Sequence, residues 1–323
     1  MRAAAFGVAG ALLALQATAG DRPELGLPAL CELGAECFLQ QYVDTDPGPG
    51  ARDFTCNGLS YDGHKGTDLA LPSLVAMRAG VPVIAAAPGT VRGVRDGMED
   101  VPFTPEMAAA LDGRDCGNGV VIDHGGGWET QYCHLRKGSV SVRKGQEVAR
   151  GDQLGLIGLS GRTQFPHVHI SVRHQGATVD PFDPDGEIDC AAPSADTMWL
   201  EPPAYRPGGL IAAGFAPGVP EFDAVRAGEA GSATLGAASE ALVIWAYAFG
   251  GRAGDVLRLS FEGPSGARFD HDAPLDRTQA QLFRAGGKRV PKTGWPAGAY
   301  AGTVEMLRDG RVIDRMQTQV TID

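Results

Sequence analysis

Between residues 61 and 185 the chain is a succession of short apolar runs cut off by glycine: VPVIAAA, TVRGV, GVVIDHG, ETQYCHL, QLGLIG and HVHISV. Runs of this length, bounded by turn residues, form β-strands rather than helices. One helix is expected among them, over TPEMAAAL, with Thr104 as N-cap and Pro105 at the first helical position. It falls in an insertion at roughly 97–115. With 46 glycines in the chain, many at turn positions, the whole protein is expected to be mainly β.

Three histidine motifs lie inside this β region. The first is GHKGTDL, which places His64 and Asp68 four apart. On a helix they would share a face, but Gly63 and Gly66 each cost about 1 kcal/mol in a helix interior. In a straight strand they would sit about 13 Å apart, too far to grip one ion at about 2 Å. A bend at Gly66, which lacks a Cβ, would bring them together. The second is PHVHISV, where strand alternation points His167 and His169 to one face and Val168 and Ile170 to the other. The third is QYCHL, where the same alternation puts His134 with Tyr132 and turns Cys133 away.

Together, HKGTD, YCH and HVH resemble the M23 family of zinc metallopeptidases, the lysostaphin or LytM type. The surrounding strands match over about 120 residues. The resemblance implies an antiparallel β-sheet, or hybrid-barrel, peptidase domain at 61–185. It makes His64, Asp68 and His169 the zinc ligands, and His134 and His167 catalytic histidines that do not ligate. Two nitrogen donors and one oxygen leave a fourth tetrahedral position for water, as in a catalytic zinc site. No HExxH glutamate is present, so a histidine must handle the proton. The substrate implied is the peptide cross-link of bacterial peptidoglycan. Phe165 and Ser171 depart from the family's small residue before Pro-His and its following Glu, which bears on substrate choice. His124 reads as a hairpin residue and His174 as a surface residue past the strand end.

Competing readings are weaker. An inactive wall-binding or amidase-activating relative would lack metal ligands, whereas all five positions are filled. A biotinyl or lipoyl carrier would need a carrier lysine in a tight hairpin, and GLSG is not the G-x-S-x-G of a serine hydrolase. Asp44 and Asp46 open a calcium-like run, but Pro47 and Pro49 intrude and Thr55 stands where the closing Glu belongs.

The remaining text sets organisation and location. Residues 1–19 have one early charge, Arg2, an apolar run, and small residues at Ala17 and Ala19, the layout of a signal peptide. A periplasmic or secreted protein is expected, with no transmembrane segment after cleavage. Its net charge of −11 argues against nucleic acid as a partner. Six cysteines in an exported chain imply disulfides, expected as Cys31–Cys37, Cys116–Cys133 and Cys56–Cys190. A cysteine-containing extension occupies 20–60 and is expected to cover the metal cleft as an inhibitory lid. A proline-rich linker at 186–207 leads to an immunoglobulin-like β-sandwich at 208–323, whose partner is unknown. There Val243, Trp245, Tyr247 and Phe249 share one strand face, Leu257, Leu259 and Phe261 share another, and Asp309-Gly310 marks a hairpin.

Overall fold

The computed structural model describes residues 22–190 and 195–323, so the expected signal peptide at 1–19 lies outside the described residues. The chain is mainly β. Its first part carries β1 (Phe38–Gln41), β2 (Thr67–Ala70), β3 (Pro82–Ile84), β4 (Gly89–Arg95), β5 (Asn118–Gly125), β6 (Trp128–Leu135), β7 (Glu147–Val148), β8 (Gln153–Leu156), β9 (His167–His174) and β10 (Ala177–Val179). A short helix, α1 (Leu74–Ala79), follows β2 and is capped by Ser73, whose hydroxyl accepts from Ala76 N. The main sheet runs β1-β2-β9-β6-β5-β4-β7, with β10 paired to β9; β3 and β8 form a separate pair.

Alternation decides which face each strand offers. Val168, Ile170 and Val172 of β9 are buried in the core with Leu69, Val120, Ile122 and Tyr132. His167 and His169 take the opposite face. His174 belongs to β9 rather than lying past its end, and its ring stacks on Trp128 at 4.2 Å. The expected helix at TPEMAAAL is a 3-10 segment, Pro105–Leu111. Thr104 sits at its N-cap without a side-chain bond, and only Leu111 is buried, so no apolar face holds an α-helix there.

The extension is part of this sheet. β1 pairs antiparallel with β2, placing Gln41 opposite Asp68. Behind it, Tyr42, Phe54, Phe182 and Tyr205 form an aromatic cluster with centroids 4.9 to 5.7 Å apart, Phe54 stacked on Phe182 and Tyr42 edge-on to both. The proline-rich segment is packed as well: Met198 and Trp199 are buried in the same core.

The second part contains β11 (Gly209–Ala216), α2 (Phe222–Ala227), β12 (Thr234–Leu235), β13 (Ala241–Gly251), β14 (Val256–Glu262), β15 (Arg268–Pro274), β16 (Gln279–Arg289), β17 (Gly298–Arg308) and β18 (Arg311–Ile322). A sheet ordered β11-β13-β16 faces one ordered β12-β18-β17-β14-β15 across a core that includes Leu257, Leu259 and Phe261. Asp309 and Gly310 turn the β17–β18 hairpin with positive φ, as an Asp-Gly pair should. β13 differs from a half-buried strand. Its sandwich face is Leu242, Ile244, Ala246 and Ala248, while Trp245 and Tyr247 face the other way beneath α2. Phe249 reaches Phe38 of β1 at 4.7 Å, and Gln281 donates to Gln40 at 2.8 Å. Large aromatics therefore cover the contact between the two parts, and small residues fill much of the β13 side of the sandwich core.

All three expected disulfides are present: Cys31–Cys37, Cys56–Cys190 and Cys116–Cys133. The last should contribute about 3 kcal/mol through loop closure. Peptide mapping of unreduced protein is expected to recover these three cross-linked pairs; free thiols at Cys116 and Cys133 would contradict the arrangement.

Candidate metal centre

Three neighbouring strands build the site. β2 and β9 pair with Asp68 opposite His169 and Ala70 opposite His167, and β6 sets Cys133 on the other side of His169. Side chains directly across such a ladder are close neighbours, so Asp68 and His169 meet without any loop. His64 arrives from outside the sheet. The chain turns at Asp62-Gly63 and bends at Gly66 before β2 starts, as the two glycines suggested. Gly66 is needed for a second reason: a Cβ there would lie 2.5 Å from His169 Nε2.

The extension then fixes His64. Its Nδ1 donates to the Tyr42 carbonyl at 2.6 Å, and its own carbonyl accepts from Asp44 N at 2.9 Å. Asp44 Oδ2 accepts from Gly63 N at 2.9 Å, and Oδ1 accepts from Asp46 N and Arg52 N. Asp44 thus organises the loop beside a metal candidate instead of binding calcium. The extension forms the supporting wall of the centre, and the expected lid is not what this geometry shows.

His64, Asp68 and His169 offer ligand atoms all within 4.8 Å of one another, and these residues could hold a metal ion. His64 Nε2 is 3.2 Å from Asp68 Oδ1 and 3.1 Å from His169 Nδ1, which is 2.8 Å from Asp68 Oδ1. Because the Tyr42 carbonyl can only accept, the proton of a neutral His64 sits on Nδ1 and Nε2 presents a lone pair. Ser171 Oγ lies 2.9 Å from His169 Nε2 and can accept a hydrogen bond from an Nε2–H, leaving the Nδ1 of a neutral His169 with the second lone pair. Two imidazole lone pairs and a carboxylate oxygen thus converge on one point, a donor set that fits a divalent cation. Burial pushes the Asp68 carboxyl up, but the surrounding His64, His167 and His169 hold it well below the usual range.

His134 and His167 stand beside these three, with ring centroids 4.6 Å apart. His167 Nδ1 donates to the Phe165 carbonyl at 3.0 Å, and His134 Nδ1 to the Ser160 carbonyl at 2.7 Å. Both neutral rings therefore turn an unprotonated Nε2 outward. Burial, followed by the neighbouring His167 and His169, holds His134 well below the ordinary imidazole value.

His134 does not share a face with Tyr132. Tyr132 points into the core, where its hydroxyl accepts from Ala86 N, whereas Gln131, Cys133 and His134 all line the cleft. The cause is a left-handed backbone at His134, φ 63°, which breaks the alternation and swings the imidazole to the cleft side. Cys133 is excluded as a ligand by its bond to Cys116 rather than by its direction. His124 stays apart, bonded to the Pro88 carbonyl and Thr130. The cleft above the five residues has a volume of about 950 Å³ and is open, with Lys65, Arg162 and Arg173 on its walls.

Residues 62–181 match the family described as Peptidase family M23. They are a domain of that family. The M23 segment is 36% identical over 117 residues to peptidoglycan DD-endopeptidase ShyA of Vibrio cholerae, covering 36% of this chain and 22% of that protein. It is 34% identical over 122 residues to ShyB of the same organism, covering 38% and 23%. The chain thus spans about a fifth of the length of the curated relatives it matches. Among solved structures, a zinc-containing peptidase from Vibrio cholerae is similar over 50% of this chain and 39% of its own, at 26% identity and a TM-score of 0.32.

Ser171 is the feature of the M23 domain whose role the sequence did not expose. Read from the sequence as a departure bearing on substrate choice, it also hydrogen-bonds the imidazole of His169, one of the three residues that could hold a metal. Ser171→Ala should weaken divalent-ion binding by about 10- to 100-fold, measured by competition with a chelator, with unchanged thermal unfolding of the metal-free protein. The carbonyl of Tyr42 was equally hidden, because a backbone acceptor has no residue signature.

Proposed function

We propose that this protein is a zinc metalloendopeptidase that hydrolyses peptide cross-links of bacterial peptidoglycan. The observation that carries the reading is the convergence of three ligand atoms beside two histidines whose Nδ1 protons are tied to backbone carbonyls, all in one open cleft. In this reading His64 Nε2, Asp68 Oδ1 and His169 Nδ1 hold the ion. Zinc bound there would polarise the scissile carbonyl and acidify a water molecule.

The chain's own residues supply the proton handling. His167 Nε2, 3.4 Å from Asp68 Oδ1, takes the proton released on attack. His134 Nε2 lies on the same side and, once protonated, stabilises the oxyanion or delivers a proton to the leaving amine. The locked Nδ1 positions keep both rings from rotating away. Peptidoglycan as substrate is supported by the printed names of the relatives that the M23 segment resembles.

Export is part of the proposal: three disulfides suit an oxidising compartment. No helix among the described residues is long and apolar enough to cross a membrane. We also read residues 208–323 as an immunoglobulin-like sandwich, supported by the facing sheets and the parallel pairing of β12 with β18.

The test is digestion of purified peptidoglycan by the zinc-loaded full chain, followed by mass analysis of the released fragments. New peptide amine and carboxylate ends at cross-links, abolished by a chelator, are expected. Tight association with the wall and no cleavage under zinc would favour the inactive wall-binding alternative.

A further inference from the structure

At Cys133 and His134, β6 carries one residue more than the strand beside it. β5 pairs Asn118 with Leu135 and Val120 with Tyr132, so Gly119 alone stands against Cys133 and His134. That is a β-bulge, a device that re-aims a side chain. Its second residue is the left-handed His134. A residue with a Cβ does not hold that conformation without restraint. In a regular strand the ring would follow Tyr132 to the core side of the sheet and leave the cleft.

The restraint comes from the turn before β5. Cys116 is bonded through Sγ to Cys133, and its carbonyl accepts from His134 N at 2.8 Å. Both bulge residues are thus tied to a single residue, one of them covalently. Gly119 is bare where this clamp passes: a Cβ there would lie 2.5 Å from the Tyr132 carbonyl oxygen and 2.9 Å from Cys116 Sγ. The clamp is itself held. Arg162 N donates to the Asp115 carbonyl at 2.8 Å, and Asn118 N donates to Ser160 Oγ at 2.9 Å. Ser160 is also the residue whose carbonyl accepts from His134 Nδ1. The backbone aim and the ring orientation of His134 therefore rest on one contact, that of residues 115–118 with 160–162.

Cys116 and Cys133 both line the metal cleft, and Cys133 stands opposite His169 in the ladder. None of the other four cysteines is among the described residues lining that cleft.

We propose that Cys116 and Cys133 are a positioning pair: their disulfide clamps the bulge and keeps the His134 imidazole aimed at the metal centre, so turnover depends on this cross-link while metal binding does not. The proposal rests on the peptidase reading above and deepens it. Without the bond, the His134 backbone relaxes towards the extended region and its ring leaves the Ser160 carbonyl. The three donors stay, because Asp68 and His169 are set by the pairing of β2 with β9 and His64 by the Tyr42 carbonyl.

The test compares Cys116→Ala/Cys133→Ala with the unmodified chain, each zinc-loaded and assayed on a cross-linked peptidoglycan peptide. Zinc per chain should stay the same, KM should change by less than about 2-fold, and kcat should fall about 10- to 100-fold. Removing the same cysteines from His134→Ala should cost less than about 2-fold more, because the clamp acts through a ring already gone. Imidazole nitrogen NMR gives a readout independent of turnover: His134 should lose its single Nδ1–H form when the pair is removed, while His167 keeps its own. Cys116→Ser/Cys133→Val, which refills the buried space at 133, takes the place of the first variant if that one does not fold. Cys31→Ala/Cys37→Ala controls for losing a disulfide as such and should retain kcat. Unchanged kcat in a folded variant, zinc lost in step with kcat, or an equal loss with and without His134 would overturn the positioning role and leave the peptidase reading standing. The NMR change without hydrolysis by any chain would sink the peptidase reading and support the clamp.

Discussion

His64→Ala and His169→Ala will each lose bound zinc and hydrolytic activity together, whereas His134→Ala and His167→Ala will keep the zinc and lose about 100-fold or more in turnover. The division follows from which nitrogens converge. His64 Nε2 and His169 Nδ1 lie 3.1 Å apart and both approach Asp68 Oδ1, so removing either leaves two of three donors. His134 and His167 flank that point with an outward Nε2 each, and their loss leaves the three donors in place. Zinc per chain and peptidoglycan hydrolysis, measured on all four variants, decide the matter. Zinc loss in His167→Ala with full retention in His169→Ala would reverse the assignment within HVH. Full activity in every variant would end the zinc-peptidase reading. Metal occupancy should also decline as pH falls below about 6, because ligating imidazoles must be neutral.

Deleting the chain up to Gly50 will abolish zinc binding and activity instead of activating the enzyme. The deletion removes β1, its pairing with β2, and the Tyr42 carbonyl that orients His64. It also strips Phe38, Leu39 and Tyr42 from the core. Each such side chain contributes about 1.5–3 kcal/mol by burial, so their combined loss is comparable to the whole stability of a typical domain. A milder variant separates support from folding. Asp44→Ala frees the Gly63 amide and should weaken zinc binding while the protein stays folded, as judged by thermal unfolding. Undiminished hydrolysis by the truncated chain would restore the lid interpretation of the extension.

Much of the site was legible because it is written locally. HVH needs only strand alternation to place two imidazoles on one face, and GHKGTD needs only a glycine bend to fold His64 back towards Asp68. The same rule failed at QYCHL, where a positive φ at His134 overrides the period of two. It misjudged His174, which continues β9 to stack on Trp128. On β13 it found the aromatic face but not the small residues of the opposite, sandwich-facing side.

What the amino-acid order determined by itself is the β grammar, the ligand-capable residue types, and the cysteine set that pairs as three disulfides. These depend on spacing, side-chain chemistry and turn residues, which are properties of short stretches. Tertiary structure decided the register that sets Asp68 opposite His169, the Tyr42 carbonyl that selects the His64 tautomer, and the Ser171 hydroxyl placed on His169. It also decided that α2 would close a pocket against Phe165. Those outcomes rest on backbone groups and contacts between segments far apart in the chain. A backbone carbonyl is the same in every residue, so only packing determines which one meets a histidine.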